Sequence, residues 1–176
     1  MSVVDVESLR FSFHANIAAE KYDDWAYYAS VLRVQKNQKA VDVVAMRMQP
    51  VPADVWLIEA KDFRVVTVPP DRANLTGLAV TAAAKFKDSL DGLAEAARLA
   101  PAWSERHHAQ RAVAATTRRL VLHLEPHIGS HSKLFPKNFP AGVLQKLKQL
   151  VRDLDPTPMV LSIASTGRAK VPWTVE

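Results

Sequence analysis

Three charged side chains stand inside runs that otherwise read as buried strands. Asp42 interrupts Ala40-Val41-Asp42-Val43-Val44-Ala45, and Glu59 and Lys61 fall within Trp56-Leu57-Ile58-Glu59-Ala60-Lys61. An unpaired carboxylate is costly to desolvate, so each acid needs compensation. Successive side chains of a strand point to opposite faces, so Glu59 and Lys61, two residues apart, project from the same face. If the two runs pair as a hairpin across the proline-bearing segment between them, Asp42 lies beside Glu59. Adjacent carboxylates repel, and a divalent cation is the usual remedy. Mg2+ or Mn2+ suits such a pair, because these ions prefer carboxylate, carbonyl and water oxygens and keep several waters for reaction. Asp42 and Glu59 would be the ligands. The ion would activate a water and neutralise phosphate charge, with Lys61 positioning that water or stabilising the transition state. The chemistry to expect is hydrolysis of a phosphodiester.

The elements around these residues follow from periodicity and punctuation. Leu9 to Phe13 alternates apolar and polar residues and predicts a short strand. Asn16 to Val34 has apolar and aromatic residues at helical spacing and predicts a first helix, with Val31 to Val34 open to a strand reading. Lys36 to Lys39 reads as a turn, Ala40 to Met48 as a strand, Gln49 to Ala53 as a loop and Asp54 to Phe63 as the next strand. Pro69 and Pro70 end that region. Leu75 to Leu99 is an Ala-rich helix stopped by Pro101, Trp103 to Thr117 a further helix, and Leu120 to Leu124 a strand. His127 to Pro140 reads as an exposed loop. Val143, Leu144, Leu147, Leu150, Val151 and Leu154 then form one amphipathic stripe, ended by Pro156. Met159 to Ile163 predicts a last strand and Gly167 to Glu176 a terminal extension. Alternating strands and helices, with several strands apolar on both faces, define the α/β class: a mixed central β-sheet flanked by helices and covered on both sides, in a single domain over residues 1–176.

An acid in one strand, sixteen residues, and then Glu-x-Lys in the next resembles the active-site signature of the PD-(D/E)XK nuclease superfamily. The resemblance covers mainly Lys39 to Arg64, with Asp42 matching the first acid and Glu59 and Lys61 the second acid and lysine. It extends to uncharacterised bacterial proteins of this group reading roughly VDF, IEVKDYR and VRDTLAG, here Val41-Asp42-Val43, Ile58 to Arg64 and Phe86 to Gly92. Val41 stands where many members have proline. The resemblance implies a restriction-endonuclease-like core and a metal-dependent nuclease acting on DNA. Members often add an acid from the first helix, a role that Glu20 or Asp24 could fill. The alternative is a catalytically inactive nuclease-like fold that serves as a nucleic-acid-binding or protein-interaction module, its charged strand residues forming a buried ion pair.

Composition narrows the remaining classes. The chain has 176 residues, 23 Lys and Arg against 18 Asp and Glu, and a formal charge of +5, which favours polyanionic partners. A basic stretch comprising Arg106, Arg111, Arg118 and Arg119, with Lys85 or Lys87, is the expected source of phosphate contacts, although either lysine could simply solvate a helix. The absence of cysteine excludes a disulfide framework, thiolate metal sites and thiol nucleophiles. With no apolar run of membrane-spanning length and two acids in Met1 to Arg10, the expected address is the cytoplasm. A homo-oligomer is left open. There is no GxSxG, Walker or GxGxxG motif. His107, His108, His123, His127 and His131 read as exposed polar surface rather than a metal cluster, and Trp25, Tyr27 and Tyr28 as core rather than a base-stacking platform.

Overall fold

The structure, a computed structural model, describes residues 1–48, 54–64, 72–126 and 139–176. Its centre is a five-stranded mixed sheet in the order β3 (Ile17–Lys21), β4 (Val43–Arg47), β5 (Asp54–Asp62), β6 (Thr117–Glu125) and β7 (Met159–Leu161). The first three strands form an antiparallel meander, and β5, β6 and β7 run parallel. The crossover between β5 and β6 carries α2 (Arg72–Leu99) and α3 (Trp103–Ala114), and α4 (Phe139–Val151) precedes β7. The α/β class with a mixed sheet and flanking helices is therefore as expected.

Alternation of side chains along the strands divides the core into two layers. Val44, Met46, Val55, Leu57, Leu120 and Leu122 face the helices, packing with Ala79, Phe86 and Leu93 of α2, Ala109 and Ala112 of α3, and Val143, Leu147 and Val151 of α4. Val43, Ala45, Trp56, Ile58, Ala60 and Val121 face the other way. That second face is covered by a separate three-stranded sheet of β1 (Val3–Val6), β2 (Leu9–Phe13) and β8 (Trp173–Val175). The segment from Gly167 onward is thus no plain extension, because β8 pairs antiparallel with β2 and buries Trp173 against Phe13 and Trp56.

The expected first helix over Asn16 to Val34 is corrected. Residues 17–21 form β3, paired along its length with β4, and the helical spacing belongs to the residues after Lys21. A 3-10 turn at Tyr22–Asp24, a π-helical turn at Tyr28–Leu32 and α1 (Arg33–Lys36) bring the chain back toward β4. Backbone pairing of residues 17–21 with residues 43–47 outweighs the weak helical pattern, while buried Trp25, Tyr27, Tyr28 and Leu32 define the helical part and belong to the core as expected. Asn37 closes α1 in the left-handed region, with its own N–H donating to Arg33 O at 3.1 Å and that of Gln38 to Leu32 O at 3.0 Å. Met159 to Ile163 is shorter as a strand than expected, since Ile163 already begins a helical turn, α5 (Ile163–Thr166). The expected loops over Gln49 to Ala53 and around Pro69 and Pro70, and nearly all of that over His127 to Pro140, lie outside the described residues.

Candidate metal centre

Asp42 and Glu59 do meet. The β4–β5 register pairs Val43 with Ile58, and the Asp42 N–H donates to Ile58 O at 3.1 Å, so the acid preceding β4 falls beside Glu59 near the carboxyl end of β5. Asp42 is 8% exposed and Glu59 2%. Asp42 is held by its neighbour strand, its Oδ2 accepting the Ala60 N–H at 2.7 Å. Lys61 lies on the same side, Nζ 3.4 Å from Glu59 Oε1. The three residues expected from sequence therefore form one cluster on the helical face of the sheet.

Helix α2 builds the rest of the cluster. Lys85 places Nζ 2.8 Å from both carboxylate oxygens of Glu59 and 3.9 Å from Asp42 Oδ1. One helical turn on, Asp88 Oδ2 accepts the Lys39 N–H at 2.9 Å and Ser89 Oγ accepts the Val41 N–H at 2.9 Å. Gly92 completes the row, since a Cβ there would lie 2.6 Å from Tyr22 Oη and 2.8 Å from a Leu32 methyl. Residues 85, 88 or 89 and 92 recur on one helical face, so a single stripe of α2 positions the chain leading into Asp42 and supplies a cation to it. Lys85 is thus neither a solvating lysine nor free for a distant phosphate.

The hairpin tip between β1 and β2 approaches from the other side. Glu7, in the left-handed region at φ 55°, receives Lys61 Nζ at 3.1 Å and the Asp62 N–H at 2.8 Å. Ser8 Oγ donates to Asp62, which also holds Arg64 through two carboxylate oxygens. Burial raises the Asp62 pKa, but the hydrogen bonds from Arg64 and Ser8 outweigh it and hold the group at about 2. Glu7 and Lys85 are the residues that strand spacing could not reveal.

The electrostatics follow from this crowding. Burial pushes Glu59 up to about 7 and repulsion from Asp42 adds to it, against the attraction of Lys85 and Lys61. Burial acts to lower the Lys61 pKa, yet Glu59 and Glu7 raise it overall. Beside Asp42 and Lys85 opens a cavity of about 390 Å³ whose lining includes Asp23, Asp24, Arg33 and Lys39. Burial and the neighbouring Asp42 carboxylate raise the Asp23 pKa against the pull of Lys21.

Other sequence expectations end elsewhere. Glu20 lies in β3 and Asp24 in the following 3-10 turn, so they do not share a helical face. Glu20 instead meets His108 Nδ1 at 2.9 Å, while Asp24 lines the cavity beside Asp42. Among the described residues no group of three or more His, Cys, Asp or Glu side chains is arranged to hold a metal, so Asp42 and Glu59 stand as a pair. His107 is exposed and stacks on Trp103, but His108 and His123 are buried, the latter with Nε2 2.9 Å from Glu125 Oε1, which corrects their reading as surface. His127 and His131 lie outside the described residues. The basic stretch disperses: Arg106 donates to Ala100 O at 2.7 Å, Arg111 to Met48 O at 2.8 Å and Arg119 to Thr157 at 2.9 Å. Arg118 and Arg119 pair in register with Val55 and Trp56, roughly 10–13 Å along the strand from the level of Glu59.

No family model matches the chain, and no solved structure matches it. A curated relative, the cysteine–tRNA ligase of Neisseria meningitidis serogroup A / serotype 4A (strain DSM 15465 / Z2491), is 27% identical over 176 residues, taking in 84% of this chain. The chain spans 24% of the length of that ligase. Among the described residues no helix is long and apolar enough to cross a membrane.

Proposed function

We propose that the protein is a divalent-metal-dependent nuclease of the PD-(D/E)XK type that hydrolyses phosphodiester bonds, with DNA as substrate and the cytoplasm as its address. The observation that carries this reading is the convergence of Asp42, Glu59 and Lys61 at one end of β5, within the succession β3, β4, β5, α2, β6. The donor set suits a hard cation: two carboxylates from adjacent strands, one anchored to backbone, with burial first and the Asp42 charge second raising the Glu59 pKa. One or two carboxylates together with water and substrate phosphate commonly suffice for Mg2+. When bound, Mg2+ or Mn2+ supplies Lewis-acid charge and a water of lowered pKa. Asp42 and Glu59 would hold the ion. The anchoring of Asp42 Oδ2 by Ala60 N–H leaves Oδ1 directed toward the shared space, as its 3.9 Å approach to Lys85 indicates. Lys61, 29% exposed at its side chain, is placed to offset charge on a phosphate at the open side.

A specific observation favours a second reading. Lys85 already neutralises Glu59, which is what a nuclease-like interaction module with a buried ion pair requires. Calorimetry with Mn2+ and cleavage assays on single-stranded DNA, duplex DNA and tRNA separate the two. The tRNA arm is included because the ligase relative is named for a tRNA substrate. The nuclease reading expects Mn2+ binding and Mg2+-dependent cleavage, both abolished by Asp42→Ala or Glu59→Ala. It expects Lys61→Ala to keep metal binding while losing cleavage by ~10²-fold or more. A wild type that binds no Mn2+ and cuts none of the three substrates establishes the interaction module instead.

A further inference from the structure

The cluster holds more cations than the nuclease signature requires, and the second one occupies its centre. Lys85 Nζ is equidistant from the two Glu59 oxygens at 2.8 Å and lies 3.9 Å from Asp42 Oδ1, whereas Lys61 is shared between Glu59 and Glu7. Its side chain is 20% exposed, and its charge is offset by these two carboxylates. A divalent ion held by Asp42 and Glu59 would need Glu59 oxygen lone pairs that this ammonium now uses. Two cations sharing one such position repel, and the low effective dielectric of a buried site makes that repulsion severe.

We propose that Lys85 is a built-in counter-cation that holds the Asp42–Glu59 seat in the metal-free protein, so that metal binding is an exchange in which the Lys85 ammonium leaves. The inference rests on the metal-site reading above and adds a residue to it. Departure is sterically available, because Lys85 also lines the cavity of about 390 Å³ beside Asp42. A long, flexible lysine can swing its charge into that space while its stem stays packed. Lys85 is a positioning residue in this scheme: it preserves the carboxylate pair when no ion is present and sets how tightly an ion is held.

The consequence separates this role from an ordinary stabilising ion pair. Lys85→Met and Lys85→Gln remove the competitor, so both should bind Mn2+ ~10-fold tighter than wild type by calorimetry, with exposed Lys87→Met unchanged as a control. The same variants should melt earlier without metal and gain more in melting temperature on adding Mn2+ than wild type does. Wild-type protein provides an independent measurement, since the side-chain ammonium resonance of Lys85 should be protected in the metal-free state and lose that protection when Mg2+ is added. Tighter binding by both variants together with that loss of protection supports the exchange. If wild type binds Mn2+ while both variants bind it equally or more weakly, or the Lys85 resonance is unchanged at saturating Mg2+, the exchange is wrong and the metal site stands. If no variant and no wild type binds Mn2+, the metal-site reading fails and the exchange falls with it.

Discussion

Glu59 carries the sharpest consequences at the scale of single residues. Its folded-state pKa is raised from 4.5 to about 7, so the folded protein binds more protons than the unfolded chain across that window. This contribution is fully favourable below pH 4.5 and is lost as the pH rises toward 7. The loss amounts to something on the order of 3 kcal/mol of stability. Denaturant melts of the metal-free protein at several pH values should show this fall, and Glu59→Gln should flatten it. Asp42→Asn probes the same coupling from the other side. An amide oxygen can still accept the Ala60 N–H, so the fold should be kept, while removal of the neighbouring charge should lower the Glu59 pKa measured by carboxyl-carbon NMR. An unshifted Glu59 would mean that Asp42 contributes little to its environment.

At the scale of elements, α2 organises the site. Asp88 and Ser89 act on the segment that ends in Asp42, Gly92 on the turn it packs against, and Lys85 on Glu59 and, at 3.9 Å, on Asp42 itself. This gives a physical account of the Phe86 to Gly92 stretch singled out in the sequence: its Asp and Ser accept backbone N–H groups and its Gly permits close approach. Gly92→Ala tests the last point. Alanine is the better helix former by ~1 kcal/mol, yet the added methyl would meet Tyr22 and Leu32, each 1% exposed and unable to move freely. Overpacking should win, and we expect a net destabilisation of about 1–3 kcal/mol in urea unfolding. A more stable Gly92→Ala would show that the contact relaxes easily. Ser89→Ala should cost about 1 kcal/mol or more, since it strands the buried Val41 N–H.

At the scale of the whole molecule, charge and packing are separated across the sheet. Arg118 and Arg119 lie toward the end of β6 remote from Glu59, and Arg106 and Arg111 are tied to backbone carbonyls. On the proposed nuclease reading, phosphate contacts at the site come from Lys61 and from Lys39 at the cavity, not from the basic stretch as a unit. Binding to duplex DNA should weaken steeply with salt, and Lys39→Ala should reduce the slope of log affinity against log salt by about 1. Arg118→Ala should leave it unchanged. The reverse pattern would move the nucleic-acid surface to the opposite end of the sheet. The small sheet matters at this scale too, because it presents Glu7 to Lys61. Phe13→Ala should cost about 3–5 kcal/mol through lost packing against Phe11 and Trp173.

Local chain geometry was enough to place Asp42, Glu59 and Lys61 together. Side-chain alternation and a short hairpin are properties of neighbouring residues, and the burial of charges in apolar runs marks them without any knowledge of packing. The α/β class followed in the same way from alternating periods. The first helix did not, because the pairing of residues 17–21 with residues 43–47 is a non-local preference that a helical pattern in one segment does not register. Nor did β8, whose pairing with the edge of β2 is equally non-local. The decisive partners of the site were hidden for the same reason. Lys85 is 26 residues from Glu59 and Glu7 is 54 from Lys61, so which cation neutralises which acid is settled only when helix and hairpin pack onto the sheet. Ion pairing depends on distance in space and on exclusion of water, and neither is encoded in local spacing.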